Sequence, residues 1–341
     1  MAAKRPTIRD IASAVGVSSA AVSYALNDRP GVSEETRRRV RQAATDLGWV
    51  PNRAARALVS QQSSLVGLVL RRRPETLAAD PFFAPLLAGI EQVLAGHGRS
   101  LVLRVVDDEA ERDAYHEMVK AGIAGFVLTD LRVDDPRGSW LRDLASPAVA
   151  LGRPDQAAGL PAVELDDRAA IADSVDHLVA LGHARIAHVT GIPGMVHTDS
   201  RIEAFRSAMT RCGLDPGLVE VGDFTADGGA GATKRLFSTG RPEPTAIVYA
   251  NDLMAMAGLA ALDRMGRSVP GDVSITGFDD VPLAAYASPP LTTVTSDALG
   301  WGRAAARLLL EIVDGDDVTD LTLPPSRLVL RGSTGPPPDG P

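Results

Sequence analysis

The 341-residue sequence predicts a multidomain chain: a small all-α head followed by an α/β body of two lobes, each a doubly wound parallel sheet. Three observations lead there. The first 62 residues hold three short amphipathic helical segments separated by cap and turn signals. From Leu65 onward, short apolar runs alternate with longer amphipathic ones, as strand–helix–strand units do. That alternation runs through twice, which predicts two lobes.

In the head, Thr7 is a cap candidate for Ile8–Val15, whose Ile8, Ile11, Ala12 and Val15 share one face. Gly16 ends this helix. Val17 turns into the core, and Ser18 caps Ser19–Leu26, which buries Ala21, Val22, Ala25 and Leu26. Its other face (Ser19, Ala20, Ser23, Tyr24, then Asn27) is small or polar, so the helix can lie deep in a DNA major groove. Ser33 caps the third helix, Glu34–Leu47, with Val40, Ala43, Ala44 and Leu47 inward and Arg37, Arg38 and Arg41 outward as phosphate contacts.

In the body, the first set of strands is Leu65–Leu70, Ser100–Val106, Ile123–Thr129 and Pro147–Leu151, with helices at Phe83–His97, Glu109–Ala121 and Leu141–Ala145. After a helix at Arg168–Leu181 come strands Arg185–Thr190, Val219–Gly222, Thr245–Tyr249 and Val273–Gly277. Their helices are Arg201–Cys212, Gly228–Ser238 and Leu253–Met265. A last helix, Asp297–Asp314, is expected to cross back to the first lobe. The Pro- and Gly-rich end predicts a disordered tail over 334–341 and no tetramer-forming coiled coil, so a homodimer is the simplest assembly.

Charge separates the two parts. The chain carries a net −8, yet residues 1–62 hold ten Lys or Arg against five Asp or Glu, a net of +5, leaving −13 for the rest. A basic head on an acidic body suits a protein that meets a polyanion at one end. No apolar run approaches the roughly 18–20 residues that cross a bilayer, and the charged start lacks the apolar core of a secretory signal. The single cysteine, Cys212, excludes an internal disulfide. The six histidines lack metal-ligand spacing, and no Gly-x-Ser-x-Gly elbow or phosphate loop occurs. These features predict a cytoplasmic, nucleoid-associated, non-enzymatic protein without cofactor or metal.

The stretch Thr7-Ile-Arg-Asp-Ile-Ala … Gly16-Val-Ser … Val22-Ser-Tyr-Ala-Leu-Asn27, continued by Leu47-Gly-Trp-Val-Pro51-Asn-Arg-Ala-Ala-Arg-Ala-Leu58, resembles the lactose-repressor (LacI/GalR) family of bacterial regulators. The resemblance runs from residue 7 to about 332. It implies a periplasmic-binding-protein-like body and a head that reads pseudo-palindromic operator DNA. The implied divisions are a head over 1–51 and a hinge helix and linker over 52–63. The first lobe takes 64–163 plus about 296–323, and the second takes 164–295 plus about 324–333. The implied DNA-binding residues are Thr7, Ser18, Ser19, Ala20, Ser23, Tyr24, Asn27 and Ser33 in the head, with Arg53, Ala55 and Leu58 in the hinge. Leu58 matches the family's minor-groove wedge. Tyr24 departs from the arginine or histidine more usual there, so no operator sequence transfers.

The resemblance also implies a sugar-like effector between the lobes, outside the carboxyl ends of the strands. Arg201, in Ser200-Arg-Ile-Glu-Ala-Phe205, is expected to open a helix there, with Ala204 replacing the usual glycine. Asn251 and Asp279 follow two strands, Phe224 offers an aromatic platform, and Phe82-Phe83 faces it, with Phe83 taken as the contact. Asp252 and Asp280 are open between ligand contact and structural hydrogen bonding. Arg71, Arg72 and Arg73 are open between gripping an anionic ligand and forming a solvated basic turn. Rival readings are control by a partner protein, or a sugar-binding transport component, against which the head and the missing secretory signal argue.

Overall fold

A computed structural model describes residues 6–26, 30–49, 64–152, 157, 159–238, 240 and 242–338. Asn27, Arg53, Ala55, Leu58 and the expected hinge helix lie outside the described residues. The chain divides into two compact units, Met1–Gln62 and Ser63–Pro341.

The first unit holds α1 (Ile8–Val15), α2 (Ser19–Leu26) and α3 (Glu34–Asp46). The Asp10 carboxylate accepts from the Thr7 N–H and hydroxyl, both at 2.7 Å, fixing the start of α1. Gly16 ends it at φ 73°, a left-handed conformation that costs glycine nothing. Ser18 and Ser33 cap α2 and α3 by accepting from Ala21 N–H and Thr36 N–H. Ile11, Val15, Val22, Ala25, Val40 and Ala44 form the core.

Two expectations for α3 fail. Arg37 is buried, with its Nη1 directed at the Ala25 carbonyl and its Nε beside Glu34. Its aliphatic stem packs inward while the guanidinium reaches the last turn of α2. Leu47 is 41% exposed, because Trp49 folds back through its N–H to the Ala44 carbonyl and packs on the core instead.

In the second unit, the first sheet is built from β1 (Leu65–Arg71), β2 (Ser100–Val106), β3 (Ile123–Leu128), β4 (Ala148–Leu151) and β5 (Ala162–Glu164). The helices accompanying them are α4 (Pro74–Ala79), α5 (Phe83–Gly96), α6 (Glu111–Lys120) and α7 (Arg137–Asp143). The second set comprises α8 (Arg168–Ala180), β6 (Ile186–Thr190), α9 (Val196–Arg211), β7 (Val219–Val221), α10 (Ala226–Leu236), β8 (Ala246–Tyr249), α11 (Asp252–Arg264) and β9 (Ser274–Thr276). A 3₁₀ turn at Pro282–Tyr286, β10 (Thr293–Val294), α12 (Ala298–Asp314), β11 (Leu321–Thr322) and β12 (Leu328–Val329) complete the chain.

All pairings in the two large sheets are parallel. Their orders are β2-β1-β3-β4-β5-β11 and β7-β6-β8-β9, while β10 and β12 pair antiparallel. Side-chain alternation feeds a core on each sheet face. Val66, Leu68 and Leu70 pack with α5 and α12, and Val69 packs oppositely with Tyr115 of α6. Likewise Ala187, Val189, Ile247 and Tyr249 meet α10 and α11, whereas Ile186, Ala246 and Val248 meet α8 and α9. Helices α5 and α12 touch through glycine: a Cβ on Gly89 would stand 2.1 Å from the Leu299 carbonyl oxygen, and one on Gly302 would stand 2.2 Å from that of Leu86.

Three boundaries differ from expectation. Helix α7 starts at Arg137 and stops before Ala145, whose φ of 48° cannot continue a helix. Helix α9 begins at Val196, directly after the loop containing Gly194, so Arg201 lies in its second turn rather than at its start. The expected disordered tail fails at its beginning. Thr334 Oγ1 meets His177 Nε2 at 3.0 Å, the Gly335 N–H donates to Ser274 Oγ, and the Gly335 carbonyl accepts from Ser274 and His183. A stretch unable to form helix is held here by side chains that take up its backbone groups.

Candidate functional site

Strand order reverses between β1 and β3 in one sheet and between β6 and β8 in the other. Crevices open at such points beyond the carboxyl ends of the strands. Residues following these strands converge on one cavity within the second unit, with about 90 Å³ of water-accessible space.

From the second sheet come Arg201, Phe224, Asn251 and Asp279, four of the five expected residues. Arg201 is 7% exposed. Its Nε and Nη2 donate to Asp167 Oδ2 at 2.9 and 2.6 Å, its Nη1 donates to the Ala250 carbonyl, and its guanidinium carbon sits 3.8 Å from the Phe278 ring centroid. Asn251 caps α11 by accepting from Met254 N–H, and its amide donates to the Phe224 carbonyl. Phe224 holds φ 65°, costly for an aromatic residue and a mark of a site that over-determines its backbone. Its ring occupies the space a side chain at position 191 would need, since a Cβ on Gly191 would stand 1.9 Å from Cζ. Asp279 has no hydrogen-bond partner for its carboxyl among the described residues, and burial pushes that carboxyl well above the usual carboxylate range.

Asp252 and Asp280 resolve as structural. Asp252 accepts from Thr293 Oγ1 and Val281 N–H, and burial lifts its carboxyl to about 7. Asp280 pairs with Arg331.

Of the adjacent pair Phe82-Phe83 it is Phe82 that lines the cavity, and the expected Phe83 contact is corrected. Phe83, Leu86, Ile90 and Leu94 form the core face of α5, which leaves Phe83 2% exposed. Phe82, one residue earlier, projects to the cavity edge-on to Phe83 and against Trp301. The three arginines divide. Arg71 and Arg73 pair with Asp108 and Glu75 at the surface. Arg72 turns inward with its side chain 5% exposed, forking onto Asp130 at 2.6 and 2.9 Å and reaching Asp80 at 3.3 Å.

His197 rests 5.3 Å from the Phe224 ring, and burial, then the nearby Arg201, depresses its imidazole to about 4. Beside it the two lobes are joined through main chain. Val196 N–H donates to the Leu131 carbonyl at 2.8 Å, Val133 N–H to the Gly194 carbonyl at 3.1 Å, and Arg132 and Met195 form an antiparallel bridge. Arg137 braces this loop by donating to the Thr129 and Asp130 carbonyls and to Asp135.

In the head, Ser19, Ala20 and Tyr24 are exposed on α2, and Ser23 is half-buried. The Tyr24 ring lies 3.5 Å from where a Cβ on Gly31 would stand. Thr7, Ser18 and Ser33 occupy helix starts, as their caps require.

Residues 7–52 match the family of bacterial regulatory proteins of the lacI type, and residues 175–334 match the periplasmic binding protein-like domain. The chain is 35% identical over 340 residues to the HTH-type transcriptional regulator CelR of Thermobifida fusca, covering 96% of both. It belongs to the LacI family. As a LacI-family member it is a transcription regulator with a helix-turn-helix head and a periplasmic-binding-protein-like body. It is also 32% identical over 333 residues to the HTH-type transcriptional repressor CytR of Escherichia coli K12, covering 96% of both. Among solved structures, the CelR–cellobiose complex matches with a TM-score of 0.73 at 32% identity over 96% of this chain and all of that one. The lac repressor dimer bound to operator and the anti-inducer ONPF matches at 0.86 and 30% over 97% of this chain and all of that one. No helix among the described residues is long and apolar enough to cross a membrane.

Sequence reasoning missed Asp80, Asp130, Asp167, His197 and Trp301. Asp130 carried a usable signal, standing two residues past the carboxyl end of β3 at a strand-order reversal. Trp301 carried none, because the expected return of the last helix to the first lobe does not say which of its side chains reaches the cavity.

Proposed function

We propose that this LacI-family regulator is a repressor that binds operator DNA as a homodimer and responds to a small sugar-like effector held between its lobes. The observation carrying the effector reading is the half-buried Asp279 carboxyl, which has no hydrogen-bond partner among the described residues and faces a cavity where Arg72, Asp130, Asp167, Arg201 and Asn251 are held in place by protein partners. A hydroxyl donating to Asp279 gives that carboxylate its missing partner. Asp167 and Ala250 accept three of the N–H groups of Arg201, so two of its five remain for ligand oxygens. Phe82 and Phe224 offer apolar surface for a ring face. The relative solved with cellobiose and the lac repressor dimer solved on operator support both halves of the reading.

In the head, the exposed Ser19, Ala20 and Tyr24 on α2 form the base-reading face, flanked by Ser18, Ser23, Ser33 and Thr7. Leu283 and Tyr286, 66% and 84% exposed on the 3₁₀ turn, are apolar side chains that dimer formation would cover. Effector and DNA affinity are coupled reciprocally, so an effector that weakens DNA binding binds the DNA-bound form less tightly by the same factor.

The test is calorimetric titration of full-length protein with cellobiose and a panel of mono- and disaccharides, with and without operator duplex, repeated on Asp279→Ala. Saturable binding lost in the variant, with DNA affinity changed by the bound sugar, is expected. No binding across the panel, or equal binding by the variant, would overturn the effector assignment.

A further inference from the structure

We propose that Asp130 is a specificity-determining residue: by clamping the guanidinium of Arg72 it closes the cavity to anionic ligands and reserves it for neutral, hydroxylated ones. This rests on reading the cleft as the effector site. Among the described residues two arginines line the cavity, and each is already matched with a carboxylate, Arg72 with Asp130 and Arg201 with Asp167. Asp80 and Asp279 add two further carboxyls, so acids outnumber guanidiniums at the wall. Arg72 spends its planar fork on both oxygens of Asp130 and its remaining Nη on Asp80. A sugar phosphate or sugar acid entering here would bury another negative charge with no cation among the described residues that lacks a carboxylate partner to receive it. A sugar hydroxyl meets no such penalty, because it can donate to a carboxylate or accept from an N–H.

The ionisation pattern agrees. Burial raises the Asp80 carboxyl even with Arg72 beside it, and neighbouring carboxylates add to the burial of Asp279. At Asp130 burial is outweighed by the charge and hydrogen bonds of Arg72, which hold it below the usual range, as a full ion-pair partner should be. His197, depressed to about 4, supplies no cation at neutral pH.

The variant Asp80→Asn/Asp130→Asn tests this. Asparagine is isosteric with aspartate and tolerates the φ of 53° at position 130. Full-length wild type and variant are melted with D-glucuronate or inorganic phosphate against sodium chloride of equal ionic strength, and with D-glucose and cellobiose. The expected result is no anion-specific rise in melting temperature for wild type, a clear rise for the variant, and loss of that rise when Arg72→Gln is added. The last arm separates the cavity from anions gathered by the basic head. An anion-specific rise in wild type that Arg72→Gln abolishes would overturn the proposal, as would a folded variant with no rise. If neither neutral sugar shifts any form while the anion pattern holds, the sugar reading suffers and the exclusion of anions stands.

Discussion

The guanidinium of Arg201 sits over the Phe278 ring at 3.8 Å while its fork holds Asp167. Lysine keeps the charge but offers neither the fork nor the planar stack. Arg201→Lys is therefore expected to cost roughly 3 kcal/mol of body stability, since Asp167 stays buried with a poorer partner. Urea unfolding of both proteins measures this, and a change below about 1 kcal/mol would contradict it.

The α5–α12 contact makes a sharper prediction. A Cβ on Gly302 would meet the Leu86 carbonyl oxygen at 2.2 Å, which is backbone and cannot swing aside. Gly302→Ala must push the helices apart and is expected to lose about 1–3 kcal/mol or more, even though alanine favours helix at an exposed position. A rise in melting temperature would show that the contact yields.

Acid should destabilise the second unit through His188. Its Nδ1 donates to the Val248 carbonyl, its Nε2 has no partner among the described residues, and burial depresses the imidazole to about 4. The unfolded chain takes up this proton below its ordinary value near 6.5 and the folded chain only near 4. Stability is therefore lost as pH falls through that window, by about 2 kcal/mol at pH 5. Asp252, lifted to about 7 by burial, works the other way: its contribution weakens as pH rises from its ordinary value towards 7. Comparing wild type with His188→Gln at pH 7 and pH 5 isolates the histidine, and parallel pH slopes would refute the assignment.

In the head, Arg37 and Arg41 should separate by role. Arg37 is buried against α2, so Arg37→Ala is expected to speed hydrogen exchange of the α2 and α3 amides. Arg41 is exposed. Arg41→Gln should leave exchange unchanged and lower the salt slope of binding to a nonspecific duplex by about one. The opposite assignment of effects would undo both readings.

The elements were legible because their signals are local. The apolar run Leu65–Leu70 and the caps at Thr7, Ser18 and Ser33 sit within a few residues of what they determine. Arg201, Phe224, Asn251 and Asp279 were legible as residues beyond strand ends or by resemblance. Phe83 was misjudged because choosing between adjacent aromatics requires the rotational phase of α5. Arg72 was undecidable from sequence, since its neutralising partner Asp130 stands 58 residues away, past the end of another strand. Thr334 and Gly335 misled for a similar reason: composition reports what a segment cannot form alone, not which distant His177 or Ser274 will hold it.

The main-chain links between Leu131 and Val196 and between Val133 and Gly194 bear on time as well as affinity. Parting the two sheets beside the cavity means breaking both hydrogen bonds, which together make up the bridge at Arg132 and Met195. A molecule that needs this route in or out must wait for the opening, so its residence time is governed by the protein's own breathing. The association rate would then level off at high ligand concentration, and the regulator would hold its last signal for a while after the ligand has gone from solution.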